Sequence, residues 1–479
     1  MSIDIFSNST EKGVFHNNNF KSYFEIKKEI QHLSHILAVS DCEQGKMIGI
    51  YMQNSIDYIV AYFSVLSIEK IVVPIYRKLT NTYDLLNEIY NCDIYCVLTN
   101  NESFDAMCQA ARSCNRYISV INIENEQIQV FNSSKIDDVS FENYDNVSVL
   151  LQSSGTSNNP KKIMHSFERL KKNMQLHVEA AQLITEDRTL IELPMTFSYC
   201  NTAQMLAHIY LNANIYISQS YSPSSFIAQV LEHEITNTTL VPSQLVSLSL
   251  SPNLTKLNHS SLKKVFYGGS LLNEAVLERL LTKCPNISFI NTYGQTEAGP
   301  RISINLSNTL SGKCGSAGKP LRDIDIEIRN VSEGVGDIFV KTPCRMIGYY
   351  KNNTLTKKTI KDEWLDTGDV GYIDKDGYLY ITGRKRNIII SGGINIYPEE
   401  IEAVLETHPN VKKAIVYGDI NTLLGEIPCA EIELNSPACD VEEIRDYCKL
   451  YLSEYKIPRK ITVTQRIDTT LNGKTKRMR

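Results

Sequence analysis

Two hydrophobic rhythms alternate along the 479-residue chain. Apolar residues spaced three and four apart mark helices, and short β-branched runs between them mark strands. SIDYIVAYFSVLSI (55–68) predicts a helix and KIVVPIY (70–76) a strand; YDLLNEIYNC (83–92) predicts a helix and DIYCVLT (93–99) a strand. VSVLLQSS (147–154) predicts a strand running straight into a loop rich in Ser and Asn, with the long helix FERLKKNMQLHVEAAQLI (167–184) after it. Strand, small-residue loop, helix is a context in which backbone N–H groups bind phosphate. Taken alone, the loop reads more readily as a solvated polar linker. The alternation continues with SFIAQVLEHEI then NTTLVPS, and LNEAVLERLLTKC then ISFINTY. It predicts parallel sheets covered by helices.

From about residue 310 the texture changes, with denser Gly, Pro and Asp. IDIEIRN and GDIFVKT predict a small β unit. Beyond ITGRKRNIIISGGINIYP lie a helix (EEIEAVLETH), two strands (KKAIVYGD, CAEIELN), a helix (VEEIRDYCKLYLSEY) and a last strand (KITVTQRI). That is enough for a separate small α+β domain. The expected class is therefore α/β. Residues 1–385 form a large N-terminal domain of helix-covered sheets plus the small β unit, and residues 386–479 a small mobile C-terminal α+β domain. Neither an internal repeat nor a low-complexity segment is present.

Composition narrows the function classes. A net charge of −5 gives no pull toward nucleic acid or anionic membrane. YIVAYFSVLSI (58–68) is too short to span a bilayer and predicts a buried helix. The start, MSIDIFSNSTEKGVF, carries no basic segment leading into an apolar core, so a cytoplasmic protein is expected. The 12 cysteines form no CxxC pair and no zinc-spaced cluster, which fits scattered reduced thiols. No GxGxxG follows a strand. GKT (473–475) is not a Walker A loop, because the earlier glycine would fall on Asp468 and no helix could follow.

Five motifs stand in a fixed order: SSGTSNNPKK (153–162), YGQTEAG (293–299), WLDTGDVGYID (364–374), ITGRKRNIIISGGINIYPEEIE (381–402) and a final NGK (472–474). Together they resemble the adenylate-forming (AMP-binding) superfamily, and within it acyl- and aryl-CoA ligases, over nearly the whole chain. The resemblance implies ATP, Mg²⁺ and coenzyme A, or a carrier-protein phosphopantetheine, as cofactors. It places Ser153, Ser154, Thr156, Ser157 and Lys161 on the leaving pyrophosphate, a job suited to hydroxyls, backbone N–H groups and a cation. FYGGS (266–270) contributes Gly268, Gly269 and Ser270, where missing Cβ atoms let the backbone approach a ligand. Asn291, Thr292, Tyr293 and Gly294 line the adenine side, Thr296 bonds the α-phosphate, and Glu297 supplies a hard oxygen ligand for Mg²⁺. Asp369 faces the ribose diol with Arg384 beside it. Arg386 takes the hinge position, where the family usually has Asp or Lys. Gly392 and Gly393 leave room for a pantetheine arm. Lys474 matches the catalytic lysine, a lone cation bridging the acid and the α-phosphate.

The chain departs from the pattern at Asn158 and Lys162, both usually Gly, and at Asp468, usually Pro. Asn158 tolerates φ > 0; Lys162 is expected to slow the enzyme or alter the loop's mobility. LPMTFSYCNTAQML (193–206) lines the acyl pocket by resemblance, through Phe197, Ser198 and Tyr199. Amino-acid-activating relatives carry an Asp near Ser198 for the substrate ammonium, and none stands here. An uncharged acyl or aryl carboxylate is the expected substrate. Arg301, just beyond the TEAGP turn, is either structural or a contact for an anionic substrate group. The expected activity is ATP-dependent formation of acyl-AMP, then transfer to a thiol. Still open are CoA or an acyl carrier protein as acceptor, an amino-acid-activating enzyme, a luciferase-type oxygenase, and a lapsed nucleotide binder. Neither a nucleic-acid partner nor a membrane span is expected.

Overall fold

The computed structural model describes residues 2–39, 45–77, 79–132, 144–152, 161–306, 313–392, 394–435 and 440–468. Two large sheets face each other across one core. The eight-stranded sheet runs, in spatial order, Gly348–Tyr349, Lys162–His165, Val149–Gln152, Ile71–Pro74, Met47–Tyr51, Cys96–Thr99, Ile118–Asn122 and Gln127–Phe131. The nine-stranded sheet runs Lys319–Pro320, Ser303–Asn305, Ser288–Tyr293, Lys264–Gly268, Asn237–Leu240, Arg188–Ile191, Asn214–Ile217, Gly13–His16 and Asn19–Ser22. Both are parallel in the middle and antiparallel at their edges. Ile48, Val149 and Leu151 of one sheet and Ile191, Phe266 and Ile290 of the other share a buried cluster.

Helices form where the pattern predicts them. Ile56–Ser67 starts at an N-cap, Ser55, whose side chain accepts from the Tyr58 N–H. It buries ten of its twelve residues between the sheets. Phe167–Ala181 is capped in the same way by Ser166. Among the described residues no helix is long and apolar enough to cross a membrane.

One sequence expectation is corrected. The helix does not follow the Ser/Asn loop directly. A strand, Lys162–His165, lies between them and pairs antiparallel with Val149–Gln152, Gln152 opposite Lys162. Lys162 is thus a buried strand residue, 7% exposed, and its Nζ binds the Glu88 carboxylate and, at 3.2 Å, Gln152 Oε1. Burial works against the ammonium, but the Cys92 sulfur and the Glu88 carboxylate more than offset it and hold its pKa up. One lysine in a four-residue strand leaves too little alternation to mark the strand in the sequence.

A five-stranded antiparallel sheet carries DTGD and ITGR on neighbouring strands, Trp364–Ile373 and Leu379–Arg384, with Asp369 directly opposite Arg384. The final sheet holds Ile389–Ser391, Ile394–Ile396, Val411–Asn421, Gly425–Leu434 and Lys460–Thr464. With helices Pro398–Leu405 and Val441–Tyr451 it encloses its own core, from Ile389 to Ile461. It touches the rest of the molecule through Asn273, whose Nδ2 donates to the Ala403 carbonyl at 2.9 Å.

Candidate active site

Strand Ser288–Tyr293 ends in a tight reversal, and the short helical turn Thr296–Ala298 follows. The reversal requires Gly294, because a Cβ there would sit 2.2 Å from the Pro300 carbonyl. Thr296 is fixed from two sides. A ring nitrogen of His165, Nε2, lies 2.7 Å from its carbonyl, and its hydroxyl lies 2.8 Å from Ser198 Oγ. Burial lowers the His165 pKa to about 4, so the ring is neutral and donates to that carbonyl. Next door, Glu297 Oε1 accepts from the Tyr349 hydroxyl at 2.9 Å. The Lys161 ammonium stands 4.9 Å over the Tyr349 ring. Lys161, Tyr349 and Glu297 therefore form one edge of the site, with a cation at its outer end.

On the other flank three motifs meet at one carboxylate. Asp369 is 3% exposed. Its Oδ2 accepts from the Tyr293 hydroxyl at 2.7 Å, and its Oδ1 takes the Arg384 Nε at 2.6 Å. Asp369 holds the Arg384 pKa up, and burial followed by Asp369 raises that of Tyr293. A carboxylate held by two donors in a dry setting keeps lone pairs for a diol.

The segment expected to line the acyl pocket begins at Phe197, whose ring packs 5.0 Å from Tyr76. Ser198 and Tyr199 follow it into a helical segment that widens into a π-turn over Asn201–Leu206. Such turns recur at functional sites because the extra residue re-aims its neighbours. Tyr199 bonds Thr292 Oγ1 at 2.9 Å, and that hydroxyl in turn donates to the Tyr267 carbonyl. Gly268 lies under this contact, with room for no side chain: a Cβ would be 2.2 Å from the Thr292 carbonyl and 3.1 Å from the Tyr199 oxygen. Gly269 takes φ +90°, and Ser270 follows it, exposed. Asn291 uses its amide on the Ser316 carbonyl at 2.9 Å. Behind Tyr199 lies Arg301, fully buried, its guanidinium 4.1 Å above the ring.

The structure thus brings together Lys161, Phe197, Ser198, Tyr199, Gly268, Thr292, Tyr293, Thr296, Glu297, Asp369 and Arg384. Arg386 stands exposed in the turn Lys385–Asn387, between the last strand of the small β unit and the final sheet. Gly392 is at φ +58°, bonded through its N–H to the Leu424 carbonyl. Ser153, Ser154, Thr156, Ser157, Asn158, Gly393 and Lys474 lie outside the described residues. His165 and Tyr349 escaped the sequence reading. Their one signal was an aromatic side chain next to an expected site element, which is too common to single out. Among the described residues no group of three His, Cys, Asp or Glu could hold a metal by itself. The half-buried Glu297 carboxylate, one residue from the Thr296 hydroxyl, is an oxygen donor of the kind a hard divalent cation takes.

The signature of the AMP-binding enzyme family matches residues 7–350, and that of the AMP-binding enzyme C-terminal domain matches residues 400–474. The 2-succinylbenzoate–CoA ligase of Bacillus subtilis (strain 168) is 28% identical over 459 residues, covering 95% of this chain and 91% of that one. The Bacillus licheniformis protein of the same name is 32% identical over 335 residues, 69% of each chain. Among solved structures, the Bacillus subtilis o-succinylbenzoate CoA synthetase with its acyl-adenylate intermediate superposes with a TM-score of 0.85 at 25% identity, over 99% of this chain and 96% of that one. The same enzyme with ATP and magnesium ion also gives 0.85 at 25% identity, over 99% and 98%.

Proposed function

The chain belongs to the AMP-binding enzyme family, and from that premise we propose that it is an AMP-forming acid–CoA ligase working at the site around Thr296. The carrying observation is the 2.8 Å hydrogen bond between Ser198 Oγ and Thr296 Oγ1. It joins the acyl side to the phosphate side at one point, where a carboxylate and an α-phosphate must meet to react.

In the first half-reaction a carboxylate oxygen of the acid attacks the α-phosphorus of ATP, and the bond to pyrophosphate breaks. Only one of the two bonded hydroxyls donates to the other, so the second donates outward to the α-phosphate. The neutral His165 keeps Thr296 from rotating away. Asp369, held by Tyr293 and Arg384, takes the ribose hydroxyls. Mg²⁺, when bound at Glu297, neutralises charge on the phosphate oxygens. Lys161, with Ser153, Ser154, Thr156 and Ser157, attends the leaving pyrophosphate, and Lys474 bridges the acid and the α-phosphate.

In the second half-reaction the CoA sulfur attacks the acyl carbon and AMP leaves. We assign residues 1–385 to the adenylating core and 386–479 to a domain that turns about Arg386. Support comes from the separate core of the final sheet, which begins at Ile389. The turn carries Lys474 away and brings Gly392 and Gly393 to the thiol path. The relatives' names support CoA, and not a carrier protein, as acceptor. They also make 2-succinylbenzoate the first acid to try. A cytoplasmic setting, where ATP and CoA are available, completes the proposal.

The test is pyrophosphate exchange over aryl, fatty and amino acids, with 2-succinylbenzoate included, followed by thioester formation on adding CoA. Exchange with an acid and a CoA-dependent thioester are expected. Absence of exchange with every acid sinks the ligase reading.

A further inference from the structure

The turn that carries Thr296 and Glu297 cannot hold its own shape. Its helical part, Thr296–Ala298, is three residues long. Its own backbone bonds run from the Ala298 N–H to the Gln295 carbonyl (3.1 Å) and from the Gly299 N–H to the Thr296 carbonyl (3.3 Å). A single short turn of this kind is weak. What fixes it comes from elsewhere in the chain, and two of those bonds come from one side chain, Asn173.

Asn173 lies inside the helix Phe167–Ala181 and is 0% exposed. Its Oδ1 accepts from the Arg301 N–H at 3.1 Å, and its Nδ2 donates to the Arg301 carbonyl at 2.8 Å. One amide thus satisfies both backbone groups at the exit of the turn. The next N–H, of Ile302, donates to the Tyr293 carbonyl at 2.8 Å and closes the loop at its neck. The amide also lies against the turn itself: a Cβ on Gly299, which sits at φ +80°, would be 3.0 Å from Asn173 Cγ and Nδ2. Asparagine is a poor helix former, and out of water its amide costs free energy unless its bonds are made. A leucine would suit both the helix and the core better. The residue type is explained by what it holds.

The same strand–helix unit reaches the turn by two more routes. His165, at the end of Lys162–His165, meets the Thr296 carbonyl. Arg169 Nη1 donates to the carbonyls of Arg345 (2.8 Å) and Met346 (3.0 Å), and the Met346 N–H in turn donates to the Glu297 carbonyl at 2.7 Å. Residues 162–181, which begin directly after Lys161, therefore hold the turn at Thr296, at Glu297 and at its exit. We propose that Asn173 is a positioning residue for the adenylation step: by fixing the backbone at Arg301 it sets where the Thr296 hydroxyl stands against the α-phosphate. It acts through Thr296 and not on the reacting atoms. This rests on the ligase reading of the site.

The test is a double-mutant cycle on the full-length enzyme: wild type, N173A, T296A and N173A/T296A, assayed by pyrophosphate exchange with 2-succinylbenzoate. N173A is expected to lower kcat/KM for ATP by roughly 100-fold, the cost of a displacement of about 1 Å near the reacting atoms, with KM for the acid within about threefold of the wild type. In the T296A background the same change is expected to cost no more than about threefold, because the hydroxyl it positions is gone. A second readout needs no turnover. The wild type should bind AMP more tightly than adenosine, and N173A should cut that preference roughly tenfold, the worth of one hydrogen bond to a charged group, with adenosine affinity unchanged. Losses that add in the double variant overturn the proposal. So does an unchanged preference for AMP, or an equal weakening of AMP and adenosine, which would mark general damage to the core. N173D keeps the acceptor for the Arg301 N–H, and it carries both measurements if N173A does not fold. A T296A enzyme as fast as the wild type removes Thr296 from the site and the proposal with it. No exchange with any acid removes the ligase reading, while the AMP-to-adenosine ratio still decides the role of Asn173.

Discussion

Lys162 and Glu88 are 7% and 9% exposed, and they form an ion pair between the strand leaving the Ser/Asn loop and the helix Thr82–Asn91. Removing one member leaves the other charged in a dry setting. For Glu88→Gln the Lys162 ammonium retains Gln152 Oε1 at 3.2 Å but loses its counter-ion. Breaking a buried pair from one side costs about 3–5 kcal/mol, whereas replacing both members by apolar groups of similar volume costs within about 1 kcal/mol. An unfolding unit of about 350 residues has an entropy near 0.7 kcal/mol/K at its midpoint, so E88Q lowers Tm by roughly 4–7 °C. The Lys162→Met/Glu88→Leu double variant should return to within about 2 °C of the wild type. Differential scanning calorimetry on the wild type, E88Q, E88L, K162M and the double variant, with urea unfolding as a second measure, supplies the numbers. A single variant within 1 °C of the wild type would refute the argument. So would a double variant as unstable as the sum of its parts, because the coupling would then be absent.

Three further outcomes are expected. Tyr293→Phe removes one of two donors from the buried Asp369 and should raise KM for ATP roughly tenfold with little change in KM for the acid; an unchanged KM for ATP would detach Tyr293 from nucleotide binding. Lys474→Ala should abolish pyrophosphate exchange yet spare thioester formation from supplied acyl-AMP, and equal loss of both halves would undercut its role. Glu192 has its pKa pushed from 4.5 up to about 7 by burial. Between those values the folded protein keeps a proton that the unfolded chain releases, so stability falls as pH rises, by up to about 3 kcal/mol. Glu192→Gln should therefore leave Tm unchanged near pH 5 and raise it near pH 8; a pH-independent difference would reject the linkage.

The repeating units of the fold were legible because periodicity is local. The apolar spacing in IDYIVAYFSVLS and EAVLERLLTK announces helices that the structure contains. The chemistry of DTGD was legible too, since a turn ending in a carboxylate is a short-range pattern. What stayed hidden was long-range pairing. Nothing near Asp369 indicates that Tyr293 reaches it from 76 residues away. Nothing near Lys162 announces Glu88, 74 residues earlier, so a core ion pair looked like a flaw in a loop. Arg301 was visible as a residue, but its burial behind Tyr199 is a property of three dimensions.

The strand Lys162–His165 also has a history on the ribosome. Its outer neighbour, Gly348–Tyr349, pairs Tyr349 with Ile163, so that partner is synthesised about 185 residues later. At ordinary rates of chain elongation the strand waits roughly 10–40 s with one side unpaired. An open strand edge is an invitation to stick to other nascent chains, and an inward-facing charge is one way to discourage it. Lys162 supplies that charge, and its partner Glu88 has by then already been made. The same residue that breaks the family's glycine pattern thus guards the half-built sheet until its last edge arrives.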